Sequence, residues 1–274
     1  MKIAFLVNRD IESVVALNLL LPALSSHQVS VFVSAQVGGA KGPKPAAMLG
    51  QLAFVEQDLW NLAVFPAIDA EPRPARYRTF HGLQREFGFE AVPLTSARTP
   101  EALAALAAPG AELFVSIRFG RILGAEAIAL PSRGVLNLHS GILPDYRGVL
   151  ATFRALMKGD SKIGCTLHRI DQATIDTGPV IEIGTREVDR SKSLLWHVLS
   201  LYPIGAEMIL RAIGRIAAGE VVSGEMQRAD AGAYFSFPGD EDLVRFTQAG
   251  WRLFDRGEVA GLMGEFGVGG EASF

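Results

Sequence analysis

Three side chains of different chemistry stand out in this chain, and two of them lie two residues apart. Asn137 and His139 follow the short apolar run Gly134-Val135-Leu136. In an extended strand such residues project from the same face, so a neutral amide and an imidazole that titrates near neutrality would point into one space. A carboxylate can join them from the polar loop 171–179, which holds Asp171 and Asp176. Amide, imidazole and carboxylate together suit acyl transfer to an amine. Asn137 and a protonated His139 could stabilise negative charge on a carbonyl oxygen. Asp176 could take the proton of the attacking nitrogen, directly or through a water, while His139 protonates the leaving nitrogen. No covalent nucleophile is needed.

The elements that must position these residues can be read around them. After His139 the turn-rich Gly141-Ile142-Leu143-Pro144-Asp145-Tyr146-Arg147-Gly148 leads into a helical pattern over 149–158, which reads as a half-βαβ unit. Residues 163–170 form a second strand pattern. In open α/β sheets ligands bind beyond the carboxyl ends of strands, which is where Asn137 and His139 fall. Toward the N-terminus, the apolar run Ile3-Ala4-Phe5-Leu6-Val7 predicts a buried strand. Asp10 is placed to cap a helix over 11–24, and 29–34 is a second β-rich run. Strand, helix, strand predicts a doubly wound, mostly parallel sheet. Further helices are expected over 47–63, 99–106 and 125–130, a strand over 112–117, and one long helix over 193–218. The segment Gly38-Gly39-Ala40-Lys41-Gly42-Pro43-Lys44 matches neither glycine-rich phosphate motif and reads as a connection. The Arg73–Arg78 loop, Pro-punctuated and basic, reads as a solvated surface.

The runs Asn137-Leu138-His139, Ile142-Leu143-Pro144, Tyr146-Arg147-Gly148, Gly164-Cys165-Thr166-Leu167-His168 and Asp176-Thr177-Gly178-Pro179-Val180-Ile181 resemble the core of the folate-dependent formyltransferase superfamily. The likeness runs well from about residue 112 to about 188. It implies a Rossmann-like formyltransferase fold and 10-formyltetrahydrofolate as co-substrate. It makes Asn137, His139 and Asp176 the catalytic trio. Phe119, Gly120, Arg121, Ile122 and Leu123 match the segment that holds the pterin, and the cofactor set extends to Asp171 and Ile175. From the residues alone, Asp171 is a rival carboxylate, and Ile122 and Leu123 could equally seal the core. One departure concerns Ser140-Gly141, where the family often has Pro-Ser.

Composition sets the outer bounds. At 274 residues, 49% of them hydrophobic, the chain can bury a sizeable core, and its formal charge of −3 gives no global positive field. We expect a catalytic domain over 1–205 and a small helical or irregular appendage over 206–274. That appendage has six Arg, no Lys and eleven Asp or Glu, a net of −5, which argues against nucleic acid because phosphate neutralisation needs clustered positive charge. The single cysteine, Cys165, reads as core filler in a reducing compartment, and His168 as a structural hydrogen-bonding residue. Five scattered histidines without H-E-x-x-H or C-x-x-C spacing predict no metal. Without a visible targeting or membrane-spanning segment, a cytoplasmic protein is expected. Exposed aromatics of the tail, such as Tyr234 and Phe235, allow a homodimer. The expected activity is formyl transfer to an amine or hydroxylamine of a small molecule, such as an amino sugar nucleotide or a modified amino acid. Glycinamide ribonucleotide as acceptor, hydrolysis of the donor, and a non-catalytic folate-binding role are the alternatives.

Overall fold

The computed structural model describes residues 1–34, 47–228 and 230–269. In chain order the elements are β1 (Lys2–Asn8), α1 (Ile11–Leu20), β2 (Gln28–Ser34), α2 (Ala47–Ala53), α3 (Phe65–Ala70), α4 (Phe80–Phe87), β3 (Ala91–Leu94), α5 (Pro100–Ala107), β4 (Leu113–Ile117), α6 (Ala125–Ala129), β5 (Val135–His139), β6 (Tyr146–Gly148), α7 (Ala151–Lys158), β7 (Lys162–Ile170), β8 (Val180–Glu187), α8 (Leu194–Ser200), α9 (Tyr202–Ala217), β9 (Ala233–Phe235), α10 (Asp240–Gln248) and α11 (Arg256–Glu265). A seven-stranded sheet runs β3-β2-β1-β4-β5-β7-β8, and β6 and β9 form a separate two-stranded ribbon. The first five strands are mutually parallel; β7 pairs antiparallel with β5, and β8 pairs antiparallel with β7.

The inner strands β1 and β4 are mostly apolar and fully buried over Ile3–Val7 and Leu113–Val115, with polar residues at their carboxyl ends. Alternate residues of β1 enter different cores. Ile3, Phe5 and Val7 join the larger one with α1 and α9, whereas Ala4 and Leu6 join a smaller one with Phe32, Phe114 and Val135. Asp10 caps α1 as expected, its carboxylate accepting the Ser13 N–H at 2.9 Å. The glycine-rich segment 38–44 lies outside the described residues.

Four expectations are corrected. The segment from β5 through α7 to β7 is not half of a βαβ unit. The eight residues of α7 rise only about 12 Å before Gly159, at φ 83°, turns the chain, so β7 enters from the end of the sheet that β5 leaves and pairs with it antiparallel. The long helix over 193–218 is two helices. Pro203 has no N–H to continue α8, and it sits instead in the first turn of α9, where none is required. The expected helix over 47–63 starts as α2 and widens over Phe54–Val64 into a π-helical stretch that leads into α3. Finally, α4 and β3 lie where no element was expected. The 205/206 junction, read from sequence as the end of the first domain, falls inside α9.

Candidate functional site

Both Asn137 and His139 lie at the carboxyl end of β5, on the same face. The antiparallel register sets His168 of β7 directly opposite Asn137 and Thr166 opposite His139. Although the loop 171–179 starts at the far end of β5, its return to pair Val180 with His168 carries Asp176 back along the strand. Asp176 is 3.5 Å from His139 Nδ1 through Oδ2 and 3.5 Å from His168 Nε2 through Oδ1.

Hydrogen-bond partners fix the ring tautomers. His168 Nδ1 donates to the Arg169 carbonyl at 2.9 Å, so Nε2 of a neutral ring is an acceptor and takes an N–H from Asn137 Nδ2, also at 2.9 Å. That orients the Asn137 amide and leaves it one N–H to offer a ligand oxygen. His139 Nε2 faces the Tyr146 carbonyl at 2.6 Å and must donate to it. Its Nδ1 is turned to the Asp176 carboxylate, a contact that is attractive when the ring is an imidazolium. Asp176 Oδ2 also accepts the Gly148 N–H at 2.8 Å. Burial alone would raise the Asp176 carboxyl, but the charge of a protonated His139 and the Gly148 N–H, joined by His168 whenever that ring is protonated, outweigh it and hold it at about 2. The carboxylate is thus ionised over all ordinary pH, which costs little only because its partners are fixed around it.

Asp176 and the turn before it are held in unusual backbone. Asp176 adopts φ 55°, a left-handed conformation that Asp tolerates better than most residues. Gly148 adopts φ 96°, and a Cβ there would lie 2.1 Å from the Phe235 carbonyl oxygen. Hydroxyls pin the 140–144 loop: Thr166 donates to the Gly141 carbonyl at 2.7 Å and accepts the Leu143 N–H at 3.1 Å, and Thr152 donates to the Ser140 carbonyl at 2.9 Å. Gly141 also has a steric role. A Cβ there would lie 2.5 Å from the Ala151 Cβ and 2.7 Å from His139 Nε2, so the position that departs from the family pattern is one where a side chain would strike the imidazole.

The segment 119–123 follows β4, beside β5. The last β4–β5 pair is Ile117↔Leu138, so Arg118 and Phe119 follow on beside His139. Phe119 and Leu123 pack into the smaller core, Gly120 donates its N–H to Ser34 Oγ at 3.1 Å, and Ile122 is 49% exposed. Arg121 has its Nε buried without a hydrogen-bond partner. Asp171 and Ile175 are both exposed, and neither makes a hydrogen bond to the Asn137, His139, Asp176 group. Cys165 is buried with its thiol pushed up to about 12 by desolvation, as an inert core residue requires.

Two groups of residues were not singled out for the site from sequence. His168, read as structural, touches both Asn137 and Asp176; the signal was its place opposite Asn137 in an antiparallel pair. Arg118 begins the 119–123 segment at φ 55° and turns into a buried group with Asp10 at 2.7 Å, Glu56 at 3.2 Å and Glu12 at 3.4 Å. Among the described residues no group of His, Cys, Asp or Glu is arranged to hold a metal ion.

A mostly parallel sheet that gathers amide, imidazole and carboxylate at the carboxyl end of an inner strand is an open α/β fold with these groups where such sheets bind ligands. The formyl transferase family model matches residues 1–194, and the chain belongs to that family. It is 32% identical over 179 residues to a methionyl-tRNA formyltransferase of Cereibacter sphaeroides, covering 62% of this chain and 57% of that one. The chain therefore spans little more than half the length of such relatives. In fold it is similar to glycinamide ribonucleotide transformylase 1 of Symbiobacterium toebii (TM-score 0.56, 18% identity, 80% of this chain and 88% of that one). An N-formyltransferase of Helicobacter canadensis, solved with folinic acid and dTDP-3-aminofucose, is also similar (TM-score 0.53, 17% identity, 88% and 72%).

Proposed function

We propose that this chain transfers the formyl group of 10-formyltetrahydrofolate to the amine of a small molecule. The observation that carries the reading is the His139–Asp176 pair standing against Asn137, one strand away from the 119–123 segment. The attacking amine adds to the formyl carbon, and the carbonyl electrons move onto oxygen, where one Asn137 N–H and the charged His139 stabilise them. The new ammonium gives its proton to Asp176, directly or through a water. His139 protonates the departing folate nitrogen as the carbon–nitrogen bond breaks, and Asp176 returns the proton to His139. Charge and atoms balance, leaving a formamide and tetrahydrofolate. In this reading Phe119, Gly120, Arg121, Ile122 and Leu123 hold the pterin, with outward-facing Ile122 as an apolar contact. Asp171 and Ile175, at the exposed start of the Asp176 loop, border the folate. An amino sugar nucleotide is the favoured acceptor, supported by the fold likeness to an enzyme solved with one.

Methionyl-tRNA is the second reading, favoured by the 32% identity to proteins of that name. Against it stands the net charge of −5 over residues 206–274, because phosphate neutralisation needs clustered positive charge. Purified protein given 10-formyltetrahydrofolate with amino sugar nucleotides, with glycinamide ribonucleotide, with methionyl-tRNA and with no acceptor separates these. Turnover only with an amino sugar supports the first reading. Turnover with tRNA alone replaces it, and donor consumption without acceptor makes the protein a hydrolase.

A further inference from the structure

Residues 225–228 and 230–235, beyond the part matched to the family, fold back onto the turn that carries Asp176. Glu225 and Val180 exchange backbone hydrogen bonds at 2.7 and 2.8 Å. Two residues on, the Gln227 side chain enters the Asp176 loop. Its Nε2 donates to the Asp176 carbonyl at 2.9 Å and to the Gly178 carbonyl at 2.7 Å, and its Oε1 accepts from Arg147 Nη2 at 3.2 Å. β9 then pairs in parallel with β6, matching Tyr146 with Ala233 and Gly148 with Phe235. Those β6 residues are the ones whose carbonyl holds His139 and whose N–H holds the Asp176 carboxylate. One stretch of tail therefore grips both sides of the His139–Asp176 pair.

We propose that Gln227 is a positioning residue for Asp176, and that this tail segment builds the catalytic centre from outside the family core. The inference rests on the reading of Asp176 as a catalytic group. A left-handed backbone is disfavoured at a non-glycine residue, so some contact must hold Asp176 in place. The Gln227 carboxamide is placed to do so, because both of its N–H groups are spent on the carbonyls flanking the turn. Without them the peptide is free to relax, and the carboxylate swings from His139 and the Gly148 N–H.

The test uses the full chain, with 10-formyltetrahydrofolate as donor and hydroxylamine as the probe acceptor, together with a ¹³C NMR titration of the Asp176 carboxyl. Gln227→Ala removes the donors, and Gln227→Glu keeps the size and the Arg147 contact while removing them. Each is expected to lower turnover roughly ten- to a hundredfold, as small misplacements of catalytic groups do, with little change in donor KM. Each should also move the Asp176 midpoint up from about 2 toward the ordinary carboxylate range. If Gln227→Ala does not fold, Gln227→Glu decides. Unchanged turnover and titration overturn the proposal, as does lost turnover with an unmoved Asp176 titration, which marks a general structural role. Asp176→Asn separates the two readings: full activity in that variant, beside a shifted titration in Gln227→Ala, refutes the catalytic role of Asp176 and leaves the positioning intact.

Discussion

Asp176 Oδ2 stands 3.5 Å from His139 Nδ1 while accepting the Gly148 N–H at 2.8 Å, so the carboxylate is fixed by a backbone donor and turned toward the imidazole without closing a hydrogen bond to it. Such a pair can tighten when substrate arrives. Asp176→Asn preserves shape and removes the charge that favours the imidazolium. We expect turnover to fall by roughly a hundred- to ten-thousandfold with folate-analogue affinity largely kept, measured by steady-state kinetics and calorimetry. Loss of folate binding in proportion to turnover would assign Asp176 to the folate pocket instead.

Acid stability follows from the same carboxylate. Its folded pKa of about 2 lies below the ordinary 3.8, so its ionised pairing contributes stability that is present above the unfolded pKa and lost as pH falls through the folded one. The contribution is on the order of 2 kcal/mol. Denaturant unfolding of the wild type and Asp176→Asn should therefore differ at neutral pH and converge between about pH 4 and about pH 2. A difference that stays constant over that range contradicts the assignment.

Gly141 gives a steric prediction. A methyl group there meets His139 Nε2 at 2.7 Å and the Ala151 Cβ at 2.5 Å, so either the ring leaves the Tyr146 carbonyl or α7 moves out. Gly141→Ala is expected to lower turnover roughly ten- to a hundredfold with a modest loss in melting temperature. An equal loss at Gly159→Ala, where nothing lies within 4 Å of a Cβ, would point to backbone strain and not to the collision.

How far the sequence foretold this architecture depends on the range of each interaction. Asn137 and His139 were legible because a two-residue period in a strand is local, and the Asp10 cap because it reaches only to Ser13. The reversal of β7 was not, since strand direction depends on how much of the connection α7 uses and on the Gly159 turn. His168 depends on that reversal. Gln227 meets the Asp176 loop across about fifty residues of chain, and no periodicity carries such a contact. Arg118 was hidden by its own backbone, whose positive φ turns the chain away from the strand pattern.

Glu12 is fully buried, and neither of its carboxyl oxygens has a hydrogen-bond partner. Burial pushes its carboxyl well above the ordinary value; Arg118 opposes this, and Glu56 and Asp10 add to it. A carboxyl raised in the folded state contributes stability that is fully present below its unfolded pKa and lost as pH rises through the folded value. Glu12→Gln keeps the shape and cannot ionise. The variant should match the wild type in mildly acid solution and become the more stable of the two as pH rises, read from urea midpoints. A gap that does not widen with pH would show that Glu12 is already ionised in the fold.

Arg118 is the only cation ion-paired with the Asp10, Glu12 and Glu56 carboxylates among the described residues. Its side chain is 17% exposed, that of Glu56 is 12% exposed, and those of Asp10 and Glu12 are fully buried. Burial works against its charge, but the acidic groups around it, Asp10 foremost, hold it firmly protonated. Arg118→Met is close in size and leaves Asp10 and Glu56 without a counter-charge, which typically costs about 3–5 kcal/mol. Because Arg118 also starts the 119–123 segment, folate-analogue affinity should fall with stability. Adding Glu56→Gln removes one of the stranded charges and should recover part of the stability, whereas the altered turn at residue 118 should keep the affinity low. Recovery of both together would show that Arg118 acts on the segment only through global stability; recovery of stability alone places the effect in the backbone turn itself.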